Sequence, residues 1–357
     1  MPANDALTRA SAEASAILPE LPRGAEVLLI RLRSLGDLVL ETPAIRALHH
    51  WRPDLRIVVL AEQRFAAVFE GNPSVSEVIF PRGLLATTLE LRKRSFPVVF
   101  NQHGGPRSAM LAGGSGAPWR IGWKGYQYDF LYNVQTPDAR EFFGREAVPM
   151  AEHRLSQLYF AGLPRGVVPA AELFPQADAV QTVKATLAEK GIAAGAAYAV
   201  LQPGARLRGM RWPLARFAAL AKWLRDTRGI ISVVNLGARD EQVAGAAARE
   251  FADTAVIPPL MDVRQLIALI ADAKLFVGND SGPAHIASAL SRPTVVIFSE
   301  TDPVQWGPCN ARGRAVSTGA TFTHPRGDKA VLAAQPRTID TISLEEVRMA
   351  CEEVLRG

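Results

Sequence analysis

The sequence predicts an α/β protein built from two doubly wound parallel-sheet domains. Short apolar runs rich in branched side chains alternate with stretches of helical spacing along the whole chain. The rhythm breaks in a Pro-, Gly- and Ala-rich stretch at 161–179 and then restarts. The 357 residues, 48% apolar and 21% charged, supply material for two globular cores, at roughly 150 residues per domain.

The elements follow in order. Residues 1–23 contain Asp5, Arg9 and Glu13 and lack a continuous apolar core, so they read as a mobile or helical N-terminal extension, not a secretory signal. A first domain over 24–175 opens with the apolar run at 26–32 and a helical pattern at 36–50. Further pairs are 55–60 with 62–70, and 75–80 with 83–94; then comes 96–100, closed by a Gly-rich turn from His103. Strand–helix alternation of this kind argues for a parallel sheet covered on both faces. A second domain over 176–340 starts with a helix at 180–190. Its strands are expected at 197–201, 230–236, 254–257, 274–278 and 293–298, with helices at 213–228, 239–252, 262–272 and 283–291. The last segment, 341–357, holds an amphipathic helix at 343–355 with Ser343 and Glu346 in capping-box spacing.

Composition narrows the function. Two cysteines, Cys309 and Cys351, are too few for a disulfide framework or a Cys-based zinc site and favour a reducing, cytoplasmic home. The 40 Lys and Arg against 35 Asp and Glu leave +5, and neither half of the chain is a polycation. A nucleic-acid partner held by charge is therefore not expected. Mild, Arg-rich basicity suits anionic small molecules or an anionic membrane surface, or is compositional bias. The longest apolar runs fall far short of the ~18 residues of a membrane helix.

Three loops carry the candidate chemistry. The first, Arg31 to Asp37, follows the first strand; Gly36 permits a close turn, and Asp37 falls in the first turn of the next helix. On this loop alone, Asp37 reads equally as a charge complementing the helix N-terminus or as a carboxylate facing a cleft. The dinucleotide fingerprint G-x-G-x-x-G is absent there, which weakens an oxidoreductase reading. The second loop, Gly278-Asn279-Asp280-Ser281-Gly282-Pro283-Ala284-His285, follows a strand and opens a helix, with Pro283 suited to the first helical position. Free amides around Ser281, Gly282 and Ala284 would hold a diphosphate, and Asp280 would accept from sugar hydroxyls; an ordinary N-cap is the alternative. His285, one turn on, reads as a packing residue. The third loop, Gln202 to Pro213, has Gly204 and Gly209 at P-loop separation, but Met210 and Arg211 stand where Lys and Ser/Thr are required, so a Walker-type NTPase is ruled out. Arg206, Arg208 and Arg211 could neutralise a pyrophosphate. No D-x-D, H-E-x-x-H or G-x-S-x-G motif occurs, so a metal-independent reaction without a cofactor is the economical inference.

Together these motifs resemble glycosyltransferase family 9, the ADP-heptose:lipopolysaccharide heptosyltransferases. The resemblance rests on R-x-R-S-L-G-D-L-V-L-E-T-P-A at 31–44, P-G-A…R-W-P at 203–213 and G-N-D-S-G-P-A-H-I-A-S-A-L at 278–290, with weaker echoes at 108–122 and at 153–155. It implies a GT-B fold: two Rossmann-like domains facing a cleft, acceptor on the first and nucleotide-sugar donor on the second, with 341–357 returning toward the first. It implies an inverting, metal-independent transfer of heptose to a lipopolysaccharide core or related glycan, with Asp37 as general base. Donor contacts would come from Gly204, Ala205, Arg206, Arg211, Met261, Asp280, Ser281, Gly282 and Pro283, with Leu260 or Met261 at the adenine. Acceptor-side residues would be Arg33, Gly36, Gln102 and His103. The partners implied are ADP-heptose and a lipid-linked glycan, met by a monomer in the cytoplasm with peripheral contact at the inner membrane face.

The chain departs from the family pattern in places. Many relatives carry Lys where this chain has Met210, and D-L-Q-G where it has Asn101-Gln102-His103-Gly104. After Gly237 the acidic residue for the ribose is open between Asp240 and Glu241, with Arg239 first. A family 9-like transferase with another donor or acceptor, and a nucleotide-sugar binding protein without catalysis, are the alternatives.

Overall fold

A computed structural model describes residues 14–237, 240–319 and 338–356. The chain divides into two compact units, Met1–Ala171 and Glu172–Gly357, with the division inside the irregular connector.

The first unit is a six-stranded parallel sheet. Its strands are β1 (Glu26–Ile30), β2 (Arg56–Leu60), β3 (Glu77–Ile79), β4 (Val98–Asn101), β5 (Trp119–Trp123) and β6 (Val134–Thr136). Its helices are α1 (14–20), α2 (Leu35–Val39), α3 (Thr42–Trp51), α4 (Leu84–Arg94), α5 (Pro106–Gly114), α6 (Ala139–Phe143) and α7 (Met150–Phe160). The sheet order β3-β2-β1-β4-β5-β6 puts the topological switch between β1 and β4. The strands that flank it, such as Leu28 and Leu29 of β1 and Val99 of β4, are fully buried, as a sheet covered on both faces requires.

The helix expected over 36–50 is two helices. Pro43 lies in the first turn of α3 and has no N–H to continue the α2 ladder. The Thr42 hydroxyl donates to the Val39 carbonyl at 2.8 Å instead. The stretch expected as a helix near 62–70 is a 3₁₀ turn at Gln63–Val68. Elements α5 to α7, β5 and β6 go beyond the sequence expectation: α5 and β5 contain glycine, α6 and β6 are five and three residues long, and α7 is buried along most of its length and so lacks a two-sided pattern. Gly122 in β5 is required by packing: a Cβ there would lie 2.4 Å from the Tyr132 ring. Residues 14–20 of the expected extension are helical, and Arg52 donates to the Leu18 and Leu21 carbonyls, each at 3.0 Å. Residues 1–13 lie outside the described residues.

The second unit has β7 (Tyr198–Gln202), β8 (Ile231–Val234), β9 (Ala255–Val256), β10 (Leu275–Asn279), β11 (Thr294–Phe298) and β12 (Gly313–Ser317). Its helices are α8 (Ala177–Glu189), α9 (Leu214–Arg228), α10 (Glu241–Glu250), α11 (Val263–Ala271), α12 (Gly282–Ala289), α13 (Pro303–Trp306) and α14 (Leu344–Arg356). The order β12-β11-β10-β7-β8-β9 repeats the first sheet's scheme, with the switch between β7 and β10. The expected strand at 293–298 is β11, and a further strand, β12, pairs in parallel beyond it.

Ile342, just before the final helix, and Val347, Ala350, Cys351 and Val354 on it are buried with Ala199, Leu201, Trp212 and Val295, so the apolar stripe of α14 packs into the second unit's core. Its capping box forms as the spacing predicts: the Glu346 N–H donates to Ser343 Oγ at 3.2 Å, and Ser343 N–H donates to Glu346 Oε2 at 2.6 Å.

Candidate functional site

In doubly wound sheets, ligands bind beyond the carboxyl ends of strands at the switch point. In the first unit that point is flanked by the loop after β1 (31–34) and the loop after β4 (102–105). Asp37 occupies the third position of α2, with Ser34 as its N-cap. Ser34 Oγ donates to Asp37 Oδ2 at 2.8 Å. Asp37 Oδ1 accepts from Arg154 Nη2 at 2.8 Å and pairs with Arg31. Burial pushes the Asp37 carboxyl up, but Arg31 and Arg154 together outweigh it and hold it well below the ordinary range. The side chain retains 15% of its exposure, so an ionised carboxylate reaches the surface between two almost fully buried guanidinium groups.

The backbone carbonyl of Gln102 holds both arginines: it accepts from Arg154 Nη1 at 3.0 Å and from Arg31 Nη1. Gln102 was expected as an acceptor contact. Its side chain is instead fully buried and donates to the Arg154 carbonyl at 3.2 Å, so it organises the cluster from behind. Asn101 is fully buried as well and anchors this loop: its Oδ1 accepts from the His103 amide at 3.1 Å. His103 is half-buried, and burial with nearby Arg31 lowers its imidazole to about 4, so near pH 7 it is a neutral hydrogen-bonding group. Gly36 is buried, and Arg33 is exposed beside them.

Three members of this cluster, Arg31, Arg154 and Glu41, carry no site role in the sequence reading. Arg154 lay inside the weak echo at 153–155, and only the α7 packing brings it to Asp37. Glu41, at the junction of α2 and α3, is fully buried, and neither carboxylate oxygen accepts a hydrogen bond. Arg154 Nε stands 3.8 Å from its Oε2. Burial raises Glu41 to about 7, against the pull of Arg154 and Arg31. Glu41 stands inside the match at 31–44, but its residue type beside T-P does not distinguish a buried carboxylate from an ordinary helix start.

In the second unit the switch point is flanked by the loops after β7 and β10. Asn279, fully buried at the end of β10, ties them together. Its Nδ2 donates to the Pro203 carbonyl at 2.7 Å, and its Oδ1 accepts from the Trp212 amide at 3.0 Å. Gly204 is required, since a Cβ there would lie 2.2 Å from Asp240 Oδ2. Asp240 is buried, and its carboxylate accepts from the Gly237 amide at 2.8 Å; this engages one of the two acids left open above. Arg239 lies outside the described residues, as does the side chain of Glu241. Arg211 donates from Nε to the Ala205 carbonyl at 3.0 Å. Arg206 and Arg208 are exposed, while Met210 is only 6% exposed and packs inward. Met261 is half-buried and Leu260 exposed in the loop before α11.

Helix α12 starts at Gly282, so Pro283 is its second residue and not its first. The expected set of amides is correspondingly smaller. The Ala284 N–H donates to the Ser281 carbonyl at 3.0 Å and is not free, and Pro283 has no N–H. The amides of Ser281 and Gly282 remain, both in half-buried residues. Asp280 Oδ2 accepts from the Thr301 hydroxyl at 2.5 Å. Burial raises the Asp280 carboxyl, against the opposing influence of His285, Thr301 and Arg206. His285 is buried, with its ring edge-on to Trp306 at 6.2 Å, as a packing histidine. Among the described residues no group of three His, Cys, Asp or Glu has the spacing of a metal site.

Two parallel six-stranded sheets, each with charged loops at its switch point, have counterparts among known proteins. The family model described as Glycosyltransferase family 9 (heptosyltransferase) matches residues 85–331. The chain belongs to this family. It is a glycosyltransferase. Over 312 residues it is 28% identical to lipopolysaccharide heptosyltransferase 2 of Escherichia coli K12, covering 82% of this chain and 87% of that protein. It is also 28% identical to lipopolysaccharide heptosyltransferase 3 of Escherichia coli, covering 78% and 84%. The fold matches a family 9 glycosyl transferase from Veillonella parvula with a TM-score of 0.77 at 20% identity, covering 93% of this chain and 97% of that one. It matches Escherichia coli ADP-heptose LPS heptosyltransferase II with a TM-score of 0.72 at 22% identity, covering 92% and 99%. These likenesses establish the expected GT-B architecture. The matched stretch includes the loops at 203–213 and 278–290, whereas Asp37 precedes it.

Proposed function

We propose that this glycosyltransferase moves a heptose from ADP-heptose to a hydroxyl of a lipopolysaccharide core or related glycan, with inversion at the anomeric carbon and without a metal ion. The observation that carries the reading is the ionised, partly accessible Asp37 held by Arg31 and Arg154 at the first sheet's switch point. The names of the relatives, two of them lipopolysaccharide heptosyltransferases, support the sugar and the acceptor class. Solved structures of an Escherichia coli heptosyltransferase with ADP and with ADP-2-deoxy-2-fluoro heptose support the donor.

The acceptor hydroxyl gives its proton to Asp37 while its oxygen bonds to the anomeric carbon. The bond from that carbon to the diphosphate oxygen breaks, and its electron pair leaves with ADP. A carboxylate paired with two arginines is a weak base, so it serves late, when attack has already acidified the hydroxyl. The Ser281 and Gly282 amides would meet the diphosphate at the start of α12. Arg206 and Arg208 are free to add the charge a metal ion would otherwise supply. Gly204 and Ala205 keep that loop close, and Asp280 would accept from sugar hydroxyls. Arg33 and His103 would meet the acceptor. The enzyme works as a monomer in the cytoplasm, in peripheral contact with the membrane that carries its acceptor.

The test is a panel of nucleotide-sugars incubated with a lipopolysaccharide-core acceptor, with products read by mass and anomeric configuration. A heptosyl product of inverted configuration, formed equally well with a chelator present, is expected. A different sugar would change the donor. Donor-dependent thermal stabilisation with no product from any acceptor would make the chain a binding protein.

A further inference from the structure

The chain's net charge is not evenly spread. Residues 80–130 hold seven Lys and Arg against two acidic residues, a surplus equal to the +5 of the whole protein. The same stretch carries six of the eleven large apolar side chains that are exposed among the described residues. Leu85 is 72% exposed, Leu89 58% and Phe130 73%, with Phe80, Leu84 and Met110 less so.

These residues share a surface. Leu85, Leu89 and Lys93 fall at i, i+4 and i+8 on α4 and are exposed, while Thr87 and Leu91 of the same helix are buried. Helix α5 lies alongside: a Cβ on Gly114 would be 2.7 Å from Thr88 Cγ2, and one on Gly113 would be 3.1 Å from Leu131, next to Phe130. Arg107 and Met110 are exposed on α5. One of the two acids, Glu90, is taken up by Arg82 at 2.9 Å. Helices α3 and α7 of the same unit expose no large apolar side chain.

We propose that the outer face of α4 and α5, with Phe130, docks on an anionic lipid bilayer. Aliphatic and aromatic side chains interleaved with unpaired Lys93 and Arg107 are what an interfacial surface needs: apolar groups to enter the acyl boundary and cations to meet acidic headgroups. Both helices begin at the carboxyl edge of the first sheet, the edge that also carries the Asp37 loop. The proposal rests on the reading above in that a lipid-linked acceptor gives such docking a purpose, and it names the surface that performs it.

The test is sedimentation of the full chain with vesicles, with neither donor nor acceptor present, so that failure here leaves the heptosyl reading standing. Vesicles of equal parts phosphatidylglycerol and phosphatidylethanolamine should bind roughly tenfold more protein than phosphatidylcholine vesicles, and added salt should release it. Leu85→Glu with Leu89→Glu should abolish binding while leaving turnover of a detergent-free, delipidated acceptor unchanged. Both positions are exposed, so the variant should keep its melting temperature. Equal binding to phosphatidylcholine, or undiminished binding by the double variant, would overturn the proposal. So would a concentration-dependent dimer that the double variant dissolves, which would assign this face to a second copy of the chain.

Discussion

Asp37 Oδ1 and Arg154 Nη2 stand 2.8 Å apart across 117 residues of chain. Arg31 reaches the same oxygen from the end of β1, so one carboxylate compensates two buried cations. The pair fixes both the protonation state and the place of the proposed base.

Asp37→Asn should lower turnover ~10²–10⁴-fold, the usual share of a general base, while ADP affinity stays within about twofold. It also leaves Arg31 and Arg154 facing each other uncompensated, which should destabilise the fold by roughly 3 kcal/mol near neutral pH. Because the carboxyl is depressed in the folded state, its contribution is present above the ordinary carboxylate range and disappears as pH falls through and below that range. The melting-temperature gap between parent and variant should therefore close in acid. Calorimetry with ADP, single-turnover assays and melting curves read the three effects separately, and unchanged turnover would remove Asp37 from the mechanism.

Glu41 predicts the opposite slope. Its carboxyl is raised to about 7 in the folded chain, against 4.5 ordinarily. Between those values the folded state keeps a proton that the unfolded state releases, so this group's contribution falls as pH rises through the window. Glu41→Gln removes that loss. The variant's melting temperature, relative to the parent's, should climb from near zero difference at the acid end to several degrees at the neutral end. Parallel melting curves across the window would show that Glu41 stays ionised against Arg154.

Met210 and its neighbours separate charge from packing. Met210→Lys introduces the cation that the family resemblance leads one to expect, but into a position that is 6% exposed here. It should lower the melting temperature and give no gain in ADP affinity, since a buried ammonium is costly. Arg206→Ala and Arg208→Ala should each weaken ADP binding about tenfold, with a reduced salt dependence, through lost charge-assisted contacts. Tighter ADP binding by Met210→Lys, measured by calorimetry, would move the phosphate site to that position.

Two parallel-sheet units and the chain positions of nine of the twelve strands among the described residues were legible in the sequence, because fully buried parallel strands must be apolar runs and their crossovers must show helical spacing; the order of the strands within each sheet was not. It also marked the loops at 31–37, 203–213 and 278–285, where Gly, Pro and small polar residues sit between such runs. Periodicity stopped short where Gly-rich segments such as α5 and β5 carry little pattern, and where a proline split α2 from α3. Which side chains meet is set by long-range packing. Arg154 reaches Asp37, Asp240 fits against Gly204, Glu41 loses its water, and Met210 turns inward while Arg206 stays exposed. Those outcomes depend on packing between segments distant in the chain, which no local spacing encodes.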